Sequence, residues 1–165
     1  MKISNPFKNN TSPFVLIPIF IWIGFVCSIS FMEAWLKFRA AGVSLSIGLN
    51  IGSLVFAALN KVEWGLAILT IIFIFLSKEK IGKAKSLLFY TPFAILVFQT
   101  FVLLPSLYER VNIISQGLAP PPSHIHFYYI ILETVKVLSL LILGTGIVYN
   151  LSRNLSFAEG RIPQH

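Results

Sequence analysis

Aspartate is absent from this chain of 165 residues, and cysteine occurs once, as Cys27. A single cysteine excludes an internal disulfide and a cysteine-based zinc site. Charge is scarce: 12% of residues carry it, and the acids are six glutamates, Glu33, Glu63, Glu79, Glu109, Glu133 and Glu159. No basic run is interleaved with aromatic residues on which bases would stack, so the net charge of +7 does not point to nucleic acid. In so apolar a chain, excess Lys and Arg mark cytoplasmic loops and contacts with anionic lipid headgroups, and membrane lipids are the expected partners. No nucleotide, heme-attachment, hydrolase or zincin motif occurs, so no cofactor is expected.

What is present is hydrophobic. The apolar share is 56% and mean hydropathy is +0.81, beyond what a soluble domain of this length carries. Residues 9–32 are uncharged, enough to cross a bilayer, which takes about 20 residues. This run lacks the small-x-small site of a cleaved signal, and Val26 before Cys27 spoils a lipoprotein signal. It reads as a first span over about 13–35, ending in Glu33, Trp35, Lys37 and Arg39, an interfacial girdle.

Residues 40–60 are ambiguous. They are uncharged, and 43–51 alternate apolar with small or polar, a period that suits extended chain. Ser44, Gly48 and Gly52 also fall four apart, the small-residue ridge through which membrane helices approach, and a homodimer through it is an expectation. The next run, Trp64 to Ser77, has 14 residues and is too short to cross alone. Lys61, Val62 and Glu63 between the two runs offer no Gly or Pro at which to turn. One helix from about Gly48 or Gly52 to Ser77, containing Asn60, Lys61 and Glu63, is the economical solution, with 40–47 interfacial or re-entrant. A five-span chain is the alternative.

The third span covers about 86–108 and closes with Glu109 and Arg110; Pro120, Pro121 and Pro122 predict a stiff extended loop. The fourth covers about 124–150. The fold class is thus all-α, a polytopic bundle of four transmembrane helices forming one membrane domain over 1–165. Its two tandem hairpins each end in a helix with an intramembrane acid. Lys2, Lys8, Lys78, Lys80, Lys83, Lys85, Arg153 and Arg161 then share one side, which places both termini in the cytoplasm of a plasma or inner membrane.

Hairpin topology and a rise of about 1.5 Å per residue bring Glu63, Glu133 and Lys136 to similar depth, about 21–25 Å from the cytoplasmic ends. His126, Tyr129, Glu133 and Lys136 share one face of the fourth helix. With Asn60 and Glu63 they form the expected polar cavity, rimmed by Glu33, Arg39, Lys61, Glu109, Arg110 and His124. Lys61 and Glu63, two residues apart, diverge on a helix, so Lys136 is the expected partner of Glu63. His126, Glu133 and Glu63 match the ligand types of carboxylate-rich bundles, but the usual Glu-x-x-His spacing is missing and no metal site is expected. Trp22 is expected in the interfacial aromatic belt, and Gln99 and Thr100 as interhelical hydrogen-bonding groups.

Phe56, Leu59, Asn60 and Glu63, with His126, Tyr129 and Glu133, resemble elements of a small four-helix integral membrane family of unknown function. The resemblance spans about residues 13–150 and implies the architecture and no activity. Intramembrane ionisable groups suggest handling of protons, ions or a small solute. The alternatives are a membrane-embedded enzyme acting on a lipid or isoprenoid, with Glu63 or Glu133 as acid/base and His126 assisting, and an accessory or structural subunit.

Overall fold

The computed structural model describes residues 13–77, 83–119 and 124–159. The expected polyproline loop at Pro120–Pro122, Lys78 and Lys80 of the basic loop, and Lys2, Lys8 and Arg161 lie outside these residues. Four helices are long and apolar enough to cross a membrane: α1, Pro13–Arg39; α2, Leu45–Leu76; α3, residues 83–115; and α4, Ile125–Glu159. Among the described residues there is no strand, and the chain is an all-α membrane bundle. α1 packs against α2 and α4, and α3 packs against α2 and α4, which closes the ring.

α2 runs unbroken through Lys61, as the missing turn residues require. Its 32 residues span about 48 Å, more than the hydrocarbon core, so a central charge in it lies deep. The helix begins earlier than expected. Ser44 caps it, its hydroxyl accepting from the Ile47 amide at 3.3 Å, so 45–51 is helical and neither extended nor re-entrant. Gly42, at φ 82°, turns the chain between α1 and α2.

α3 also outruns its expected end. Glu109 and Arg110 lie inside its last turns, and it stops at a Schellman motif in which Leu118 donates to Ile113 and Gly117 to Ile114. Gly117 supplies the left-handed residue, at φ 77°. α4 likewise continues past Asn150 to Glu159.

The odd-numbered helices share a feature the even ones lack. Each contains a widened π turn, at Cys27–Glu33 in α1 and Gln99–Leu103 in α3. In α3 the cause is local: Pro105 has no N–H for the Phe101 carbonyl, and the wide turn lets Leu104 donate five residues back, to Gln99.

The small-residue ridge is filled from within the chain. Gly48 and Gly52 are buried, and the space a side chain would take there holds Phe38 and Lys37 from the end of α1. Gly48 and Gly52 are thus used in contacts within the chain, while Ser44 of the same ridge is exposed.

Candidate functional site

Lys136 is fully buried and is the centre of the site. Its ammonium donates to Glu63 Oε1 at 2.5 Å, to Gln99 Oε1 at 2.5 Å and to Glu133 Oε1 at 3.3 Å. All three of its donors are thereby used. Gln99 turns its amide to Glu133 Oε1 at 2.9 Å, and the Trp22 indole donates to Glu63 Oε1 at 2.8 Å. Each helix thus contributes: Trp22 from α1, Glu63 from α2, Gln99 from α3, and Glu133 and Lys136 from α4. Glu63, Glu133, Gln99 and Trp22 are as enclosed as the lysine, each at 0% exposure.

The site is deep. Counting along α2, Glu63 is about 27 Å from the Leu45 end and about 20 Å from the Leu76 end. The hairpins treat their carboxylates alike, since α1 donates to the acid of α2 and α3 to the acid of α4. The apolar cluster of Ile19, Trp22, Val26, Ala67, Leu96 and Leu140 packs around one side, and Phe56, Leu59, Leu103 and Tyr129 around the other.

The satisfied atoms leave others unmatched. Glu63 Oε2, Glu133 Oε2, the Tyr129 hydroxyl and the Ser30 hydroxyl are buried with no hydrogen-bond partner. A buried polar group left unpaired costs about 1–3 kcal/mol, so these four atoms mark where the interior is polar beyond what packing needs.

A second polar group borders the first. Thr100 accepts from Asn60 at 2.9 Å and from Trp64 at 3.0 Å, and donates to the Leu96 carbonyl at 2.7 Å. It ties α2 to α3 from within the π turn. Asn60 is therefore committed to Thr100 and does not touch Lys136.

His126 stands apart. Seven residues from Glu133, it lies about 10 Å nearer the start of α4. It lines a pocket of about 300 Å³ with Lys37, Phe38, Gly52, Phe56 and Arg110, at the end of the bundle where α1 finishes and α2 begins. Phe56 meets Tyr129 at 5.0 Å between ring centroids with the rings tilted by 57°, and this pair lies between the pocket and the charge cluster. The six residues expected to line one cavity fall instead into a closed cluster (Glu63, Glu133 and Lys136, with Tyr129 adjoining), a threonine junction (Asn60) and a pocket wall (His126). Among the described residues no three His, Cys or carboxylate groups come together, so His126, Glu133 and Glu63 are not assembled around a metal.

The rim residues also separate. Glu33 accepts from Lys37 at 3.3 Å, Arg39 lies over the Trp35 ring at 4.6 Å, and Arg110 lines the pocket. Glu109 and His124 are exposed. Lys61 faces outward from the middle of α2, with no ion pair to it among the described residues.

Trp22 and Gln99 join the site beyond the expected set. Trp22 is in the interior and not in an interfacial belt, because its N–H needs an acceptor and Glu63 supplies one. Mid-span position was the available signal for both. Comparison with protein-family models, with curated proteins and with solved structures gives no match to this chain.

Proposed function

We propose that this membrane protein takes up and releases protons at the Glu63–Lys136–Glu133 cluster. One observation carries the reading: a single ammonium, its donors all spent, serves two buried carboxylates that each keep one unbonded oxygen. Fully ionised, the trio is one negative charge in excess inside a membrane, which is costly, and one proton removes the excess. Glu133 is the better holder, because it lies farther from the lysine than Glu63 does. Its titratable neighbours are Lys136 and Tyr129 on α4 and Glu63 on α2; α1 and α3 present the neutral Trp22 and Gln99.

Tyr129 and Phe56 form the partition through which a proton would pass to the pocket beside His126. The positive residues of the loop and tail, including Lys83, Lys85 and Arg153, support a cytoplasmic position for both termini, in a plasma or inner membrane. That orientation makes the pocket extracytoplasmic. The separation of His126 from Glu133 weighs against an enzyme using them as one acid/base pair.

Proteoliposomes holding a pH-sensitive dye, with a potential imposed by valinomycin, test the reading. Proton uptake above that of protein-free liposomes is expected, with at least a tenfold loss in Glu133→Gln. No uptake above the protein-free rate, or undiminished uptake in Glu133→Gln, overturns it. A second reading, an accessory subunit whose charges lock helix register, is favoured by the complete enclosure of the cluster. Silent liposomes together with failed assembly of Lys136→Leu support that reading.

A further inference from the structure

The outer face of α2 carries a charge that the fold leaves unmatched. Lys61 is exposed at the midpoint of the helix, about 24 Å from the Leu45 end and about 22 Å from the Leu76 end. Among the described residues no ion pair or hydrogen bond reaches its ammonium. Headgroups lie about 15 Å from the bilayer centre, farther than a four-carbon stem extends, so snorkelling recovers only part of the cost of this charge.

The residues around Lys61 form a seam. Leu54, Ala58, Lys61, Gly65, Ile68 and Ile72 are all exposed and recur at alternating intervals of four and three, the spacing along which two helices pack side by side. Ala58 and Gly65 flank the lysine one turn away on either side. A Cβ at Gly65 would meet nothing within 4 Å, so another backbone can approach closely beside the ammonium. A lone lysine in such a seam selects both register and partner. It also selects against a second copy: because Lys61 is at the midpoint of α2, a parallel or an antiparallel pairing along this face would set it against its counterpart, and like charges repel. We infer that this face docks a transmembrane helix of another protein, one with a single carboxylate at mid-span that meets Lys61 and with small or apolar side chains along the rest of the seam. The inference is independent of proton handling at Lys136, and Glu133→Gln is expected to leave it unchanged.

Energy transfer in phosphatidylcholine liposomes, from the tryptophans of the full-length protein to a dansyl group on a synthetic peptide, tests it. The peptide is a Leu/Ala helix of about 20 residues, enough to span, with Glu or Gln at its centre. The Glu peptide is expected to reach half-maximal transfer at a peptide density at least tenfold lower than the Gln peptide. Lys61→Leu is expected to erase that preference. Gly65→Leu, which fills the seam beside the lysine, is expected to weaken the Glu peptide several-fold. Equal transfer for the two peptides, a preference that survives Lys61→Leu, or undiminished binding in Gly65→Leu overturns the proposal. If adding phosphatidylglycerol abolishes the preference, a lipid headgroup holds Lys61 and the proposal fails. Self-association of the parent chain that Gly65→Leu disrupts would put a second copy on the seam and overturn it as well.

Discussion

Glu63 and Lys136, on different hairpins and 73 residues apart in sequence, meet at 2.5 Å with both side chains fully buried. Their pairing joins the two halves of the bundle at mid-depth. Because Gln99 and Glu133 share the same ammonium, the pair is one part of a network and its energy is not separable by single deletions.

Removing the ammonium should therefore be the most damaging single change. Lys136→Leu leaves two buried carboxylates without a cation, and breaking a buried pair in this way costs about 3–5 kcal/mol. Neutralising the carboxylates as well, in Lys136→Leu with Glu63→Gln and Glu133→Gln, should recover a large part of that loss. Unfolding in mixed micelles at rising SDS fraction measures both. A triple variant no more stable than Lys136→Leu would show that the damage is steric and not electrostatic.

Lys61 should behave in the opposite way. It is exposed on α2, with no ion pair among the described residues, at about 24 Å from the Leu45 end. A charge near the bilayer centre costs roughly 2.5–3.5 kcal/mol on insertion scales, less what its long stem recovers by reaching toward headgroups. Lys61→Leu should leave the fold intact and raise stability in the same SDS titration. A loss of more than about 1 kcal/mol, the size of an average hydrogen bond, would mean that Lys61 serves a contact the isolated chain does not contain.

The indole of Trp22 gives a narrower test. Trp22→Phe keeps an aromatic ring against Phe93, now at 5.7 Å in an edge-to-face arrangement, but removes the N–H on Glu63. A hydrogen bond to a charged group is worth about 1.5–3 kcal/mol, and the variant should lose about that much. In Glu63→Gln the same substitution should cost less, because the acceptor is no longer charged; equal costs in both backgrounds would remove the indole–carboxylate bond from the account.

Much of this arrangement is legible in the residues alone, and the parts that are not share a physical cause. The continuity of α2 through Lys61 follows from the absence of turn residues. The meeting of Glu63 with Lys136 follows from hairpin topology and rise per residue, because each fixes depth along the membrane normal. Depth also separates His126 from Glu133, although the two share a helix face. Rotation about each helix axis is not fixed by such arithmetic, so Trp22 and Gln99 could not be assigned to Glu63 and Glu133. The alternation over 43–51 suggested extended chain because a buried small-residue row and a strand pattern coincide over so short a segment. The structure resolves it through Gly48 and Gly52, which face the end of α1.

That row supplies the last prediction, made by comparing glycines within α2. A Cβ at Gly48 would overlap the Phe38 ring, which would have to shift, whereas nothing lies near a Cβ at Gly65. Overpacking typically costs about 1–3 kcal/mol, so Gly48→Ala should destabilise by that order. Gly65→Ala adds a better helix former in open space and should stabilise by up to about 1 kcal/mol. Gly52→Ala falls between, since the atom in its way is the end of the flexible Lys37 side chain. That end can shift aside, so the SDS midpoint of Gly52→Ala should stay near the parent value. If Gly48→Ala proves as benign as Gly65→Ala, the end of α1 is not seated on this row in the membrane.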